Sequence, residues 1–107
     1  MDFKTLTEFT EKEMFPGFLG RFVHGEQMTV AFWTVKAGSS VPLHHHVHEQ
    51  IMHILEGQFE FTLDGKTQIC EPGAVVVIPS NKPHTGTSIT DCKIIDVFHP
   101  VREDYRV

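Results

Sequence analysis

Hydrophobic and polar positions along the chain fall into short runs separated by turn signals. FLGRFVH (18–24), MTVAFWTVK (28–36), QIMHILEG (50–57) and QFEFTLD (58–64) are rich in aromatic and β-branched residues, which suit a pleated, half-buried surface. Gly25-Glu26, Gly38-Ser39-Ser40, Pro72-Gly73 and Asn81-Lys82-Pro83 break these runs. Asp64-Gly65 is a strong hairpin signal, so KTQIC (66–70) is expected to pair back on the strand before it. AVVVIP (74–79) reads as a buried run, and GTSIT (86–90) and CKIIDVF (92–98) complete the set. Phe59 and Phe61 flank Glu60, so both pack one face of their strand, and Trp33 with Phe32 reads as core. Only residues 5–15 show no clean period, and Pro16-Gly17 closes that segment. Short strands without a convincing long helix predict an all-β sandwich or barrel. The length, 107 residues, predicts one domain over 1–107.

The chemistry concentrates at three consecutive histidines. On a strand, side chains alternate between faces, so His44 and His46 point one way and His45 the other. Gln50 follows on the same stretch, and His84 comes later, beyond a Gly-Pro signal. Two imidazoles, an amide oxygen and a third imidazole make a four-donor pocket with open positions, the pattern of a catalytic or binding metal site. One divalent transition metal is expected; nickel, zinc, manganese and iron all suit these donors. Neutral ligands leave its charge undiminished, which favours an anionic or chelating substrate. Glu49 sits one residue early and faces away from Gln50; His48 is expected at the mouth of the pocket.

Asp96 shares a strand face with Ile94 and Phe98. A carboxylate among apolar neighbours is costly unless paired or functional. It is either a structural group, held by Arg102 or by backbone amides, or a general acid/base facing the pocket. Arg102 is either a fork for a substrate carboxylate or one half of an ion pair with Glu103 or Asp104. Arg21 reads as a solvated strand residue.

Charge and composition narrow the partners. The net charge is −5, with no basic patch of the kind nucleic acid requires. No apolar run approaches the ~20 residues of a membrane span. Lys4, Glu8, Glu11, Lys12 and Glu13 interrupt any apolar leader, so a cytoplasmic location is expected, with Cys70 and Cys92 reduced and partly buried. The expected partner is a small molecule, an anionic sugar; neither nucleic acid nor membrane is expected. A homodimer is expected because Phe9, Met14, Phe15 and Phe18 exceed what one small core needs.

Two spaced motifs carry a family resemblance. Gly38, His44, His46, Gln50 and Gly57 resemble the first cupin motif, G-x5-H-x-H-x3-E-x6-G, with Gln50 at the Glu position. Gly73, Pro79 and His84 resemble the second, G-x5-P-x-G-x2-H-x3-N, with Asn81 and Ser88 replacing Gly and Asn. Asn tolerates the left-handed backbone that Gly would supply there. The resemblance spans about residues 28–99 and implies a small jelly-roll β-barrel, the double-stranded β-helix. Asp96-Val97-Phe98-His99-Pro100-Val101-Arg102-Glu103-Asp104-Tyr105 resembles the tail of KdgF-type pectin-degradation cupins, as does the HEQ stretch at 48–50. That subgroup implies His44, His46, Gln50 and His84 as metal ligands and Asp96 and Arg102 as catalytic residues. Its implied activity is the conversion of unsaturated monouronates, from pectin or alginate, to linear keto sugars. Many small cupins are instead iron dioxygenases, and a non-catalytic metabolite-binding cupin is the third reading. Gln in place of Glu disfavours the dioxygenase, because an anionic ligand helps support oxidised iron.

Overall fold

The computed structural model describes residues 3–106. Ten strands and two 3₁₀ turns, Leu6–Glu8 and Glu103–Tyr105, make up the regular structure. The strands are β1 (Lys12–Phe15), β2 (Phe18–His24), β3 (Thr29–Val35), β4 (Ser40–His44) and β5 (Glu49–Glu56). They continue with β6 (Phe59–Leu63), β7 (Lys66–Cys70), β8 (Val75–Ile78), β9 (His84–Ser88) and β10 (Cys92–His99). β2 coincides with the FLGRFVH run, and β3 sits within the second run.

The strands form two antiparallel sheets, in keeping with a jelly roll. One holds β1-β2-β3-β10-β5-β8, the other β4-β9-β6-β7. The expected barrel is thus an open pair of sheets among the described residues, closed by side chains rather than by a continuous hydrogen-bonded ring. The core lies between them. Trp33 packs edge-on to Phe22 at 5.3 Å and to Phe18 at 6.0 Å, and Phe18 reaches Phe59 of the opposite sheet at 6.4 Å. Fully burying one such side chain contributes about 1.5–3 kcal/mol, and edge-to-face contacts add to that. Cys70 and Cys92 are buried free thiols. Among the described residues no helix is long and apolar enough to cross a membrane.

Several expectations change. The aperiodic 5–15 segment contains β1, an edge strand paired only with β2. An edge strand gains order from backbone pairing on one side and needs little apolar alternation of its own. The AVVVIP run is not buried throughout: β8 is also an edge, with Ile78 inward and Val75 and Val77 more than half exposed. Most of the apolar surplus near the N-terminus, all but Phe9, is absorbed internally. Phe18 is in the core, and Met14 and Phe15 pack against it. His44 and His46 do not share one strand. β4 ends at His44, and residues 45–48 cross from the smaller sheet to the larger one, where β5 starts at Glu49.

Candidate metal centre and pocket

The crossover carries the first histidines, and the other candidate side chains arrive from β5, β9, β10 and the tail. His44 ends β4 directly opposite His84 at the start of β9. Their rings lie 4.2 Å apart, and His46 is 4.9 Å from His84. One ligand atom from each of His44, His46 and His84 falls within 4.8 Å of the others. Donors around a tetrahedral ion with ~2.1 Å bonds stand about 3.4 Å apart, so a small inward closure brings the three to ligating distance.

Hydrogen bonding sets the ring orientation. His44 Nδ1 lies 2.7 Å from the Pro42 carbonyl, His46 Nδ1 2.9 Å from that of His48, and His84 Nδ1 2.8 Å from that of Lys82. A carbonyl oxygen only accepts, so each Nδ1 carries the proton and donates it. Each Nε2 therefore offers a bare lone pair, the arrangement metal-ligating histidines show. His84 Nε2 is buried and without a hydrogen-bond partner, which a metal would satisfy. Burial, first of all, lowers the pKa of His46 and pushes that of His84 down to about 4. Both rings are neutral at ordinary pH, as ligation requires. This three-histidine group fits a divalent metal site.

Gln50 is buried at the start of β5. Its Oε1 lies 3.1 Å from His46 Nε2, so a fourth lone pair faces the same space. Glu49 is exposed on the other side of the strand. His45 is exposed as well. His48 lies in the bend with Nδ1 buried and unpartnered, and its ring is 5.6 Å from that of His46.

Asp96 and Arg102 line the same pocket as His44, His46, Gln50 and His84. The walls are aromatic: Trp33, Phe59, Phe61, Phe98 and Tyr105. Asp96 faces inward from β10 and is 8% exposed. The Trp33 indole donates to Asp96 Oδ2 at 3.0 Å, while Oδ1 is buried without a partner. Desolvation raises its carboxyl to about 6, with Gln50, Trp33 and the Arg102 charge opposing that rise. Arg102 is buried at 7% exposure. Its guanidinium stacks on Phe98 at 4.7 Å and on Tyr105 at 4.0 Å. Asp104 accepts a two-pronged pair from Nε and Nη2 at 3.0 and 2.8 Å, which leaves Nη1 outside that pair. Arg21, by contrast, donates to the Phe9 carbonyl and lies 3.9 Å from Glu11, a structural role.

Residues 31–98 match the family described as Cupin domain. The chain is a cupin. Among similar proteins, the pectin degradation protein KdgF of Dickeya dadantii is 29% identical over 79 residues, covering 73% of this cupin and 72% of that protein. The solved structure of KdgF from Halomonas sp. superposes with a TM-score of 0.89 at 26% identity, covering 97% of each chain. An RmlC-like cupin from Shewanella frigidimarina gives 0.92 at 22% identity, over 98% of this cupin and 96% of that chain; that likeness speaks to the fold alone.

The structure brings all six residues singled out from sequence into one pocket. Sequence reasoning took Trp33 as plain core and passed over Tyr105. No local pattern marks an indole as a carboxylate partner across 63 positions. Tyr105 could have been found through the DY pair that follows Arg102 by two residues.

Proposed function

We propose that this cupin is an isomerase-type enzyme that opens unsaturated monouronates from pectin or alginate to linear keto sugars. One observation carries the reading: a buried carboxyl near neutrality, Asp96, shares a small aromatic pocket with three histidines and an arginine. The likeness to two KdgF proteins, one of them described as a pectin degradation protein, supports it.

His44, His46, His84 and Gln50 would hold one divalent ion, which supplies Lewis acidity and a template for an anionic substrate. Arg102 binds the substrate carboxylate, with its fork already aligned by Asp104. Asp96 takes the proton of the anomeric hydroxyl as the ring C–O bond breaks and the aldehyde forms. It returns a proton to the enol carbon, which becomes a methylene beside the new ketone. A carboxyl near pH 6 can both accept and return a proton close to neutrality. The aromatic walls limit water at the reacting atoms.

We also propose a cytoplasmic homodimer. Two free buried thiols suit a reducing compartment. The dimer is formed by the outward face of the six-stranded sheet. There Val30 pairs with Val97, Val97 with Ile51 and Ile51 with Val77 in one unbroken apolar row, beside a second row in which Phe32 and Ile95 are followed by His53 and Val75. A face of that extent, roughly 20 by 25 Å or about 500 Å² per partner, falls at the small end of specific interfaces. Stacking two copies with strands reversed sets the Glu49/His99 end of one against the Lys93/Glu56 end of the other.

The test of activity is loss of the unsaturated sugar's ultraviolet absorbance, measured against its uncatalysed decay. Wild type loaded with a divalent metal should exceed that decay, and Asp96→Asn should fall ~10²–10⁴-fold with metal content unchanged. A wild type no faster than the uncatalysed reaction with any divalent metal overturns the reading and promotes the dioxygenase or binding-module alternatives.

A further inference from the structure

The tail beyond β10 turns back over the pocket and contributes two of its walls, Arg102 and Tyr105. Two hydrogen bonds fasten it to β2 and β3, and a third braces their partners. The Arg102 backbone N–H donates to Thr29 Oγ1 at 2.9 Å. His24 Nδ1 lies 2.8 Å from the same hydroxyl, and His24 Nε2 lies 3.3 Å from the Tyr105 carbonyl. One proton arrangement satisfies every group. The Tyr105 carbonyl only accepts, so Nε2 carries the proton. Nδ1 is then bare and accepts from the Thr29 hydroxyl, whose oxygen accepts from Arg102.

Placement explains why these two residues serve. His24 ends β2 and Thr29 begins β3, paired across the turn, and Thr29 also pairs with Phe98 on β10. Thr29 is completely buried. A buried hydroxyl has few reasons to be kept unless its hydrogen bonds matter. Here they tie the tail at both ends of its 3₁₀ turn, which itself closes with Tyr105 N–H on the Arg102 carbonyl at 3.0 Å.

We propose that Thr29 and His24 are positioning residues, clasping the tail so that the Arg102 guanidinium is presented to the pocket in one fixed place. Neither touches the pocket interior; they act through Arg102 and Tyr105. The consequence for activity rests on the reading of Arg102 as the partner of a substrate carboxylate.

The experiment compares Thr29→Val, Thr29→Ser and His24→Leu. Valine keeps the shape and deletes the hydroxyl; serine keeps the hydroxyl. Thr29→Val and His24→Leu should raise KM about tenfold with kcat changed much less, the signature of weakened binding, and Thr29→Ser should return KM close to wild type. Trypsin cleavage after Arg102, followed by mass as loss of residues 103–107, gives a readout without substrate. It should be several-fold faster in Thr29→Val than in wild type or Thr29→Ser. Wild-type KM and wild-type cleavage in Thr29→Val overturn the clasp, as does a serine variant no better than valine. If Arg102→Ala leaves KM unchanged, the carboxylate reading fails, and the cleavage comparison still decides the clasp.

Discussion

Asp96 is a carboxylate held in an environment unlike water. It is buried, takes one hydrogen bond from Trp33, and its carboxyl is raised to about 6 from an ordinary value near 3.9. Between those two pH values the folded protein holds a proton that the unfolded chain has released. The contribution of Asp96 to stability therefore falls as pH rises from about 4 to about 6 and is level above that, while His84, whose pKa is lowered, contributes in the opposite direction. Replacing Asp96 by Asn removes the cost of the buried charge while keeping an acceptor for the indole. In metal-free protein, Asp96→Asn should be about 2–3 kcal/mol more stable than wild type at pH 7 and nearly equal to it at pH 4. Urea unfolding at the two pH values checks this, and the histidines common to both proteins cancel in the difference. An equal gap at both pH values would show that the carboxyl is not raised in the folded protein. The position was legible as unusual, since an Asp between Ile95 and Val97 asks for a reason. The partner was not. Register puts Trp33 opposite Ile94, on the same inward face as Asp96, and only the folded sheet shows that.

At the scale of elements, alternation located most strands, because inward and outward positions differ in polarity wherever one face is wet. It failed at the HHHVHEQ stretch. A regular strand and an extended crossover both put His44 and His46 on one side, so the spacing could not tell them apart. The crossover matters chemically, since it lets one short stretch supply donors beside both sheets. β9 supplies the third histidine and is packed tightly against its neighbour. A Cβ added at Gly86 would stand 2.4 and 2.5 Å from ring atoms of Phe59. Neither ring nor strand can retreat without disturbing the core. Gly86→Ala should destabilise the protein by about 1–3 kcal/mol. Because His84 lies two residues away on the same strand, it should also weaken metal retention. Chemical denaturation and metal analysis after dialysis measure the two effects. A variant as stable as wild type would mean that Phe59 has room to move which the packing does not show.

For the whole molecule, β8 links sequence to assembly. Ala74-Val75-Val76-Val77-Ile78 is apolar without interruption, the pattern of a strand covered on both faces. A single chain covers only one: Val76 and Ile78 turn inward, while Val75 and Val77 are 59% and 53% exposed. Ile51 beside Val77 is exposed too, and half-buried Ile95 and Val97 lie beyond it on the same face. Exposed apolar side chains gathered on one face mark an interaction site, and the cover proposed for it is a second copy of the same face. Of the N-terminal apolar residues that composition suggested for this task, Phe18 is in the core and Met14 and Phe15 pack against it, and Phe9 alone stays outside that cluster. Composition counts apolar residues but does not say which side of a sheet they occupy. Ile51→Lys combined with Val77→Glu places opposite charges on directly paired positions, so the sheet itself keeps a favourable neighbour pair. Stacking two such faces would bury four charges. Light scattering should give a dimer for wild type at micromolar concentration and a monomer for the double variant, with equal metal content in both. A wild type that is monomeric under those conditions removes the interface, and the exposed valines of β8 would then need another partner.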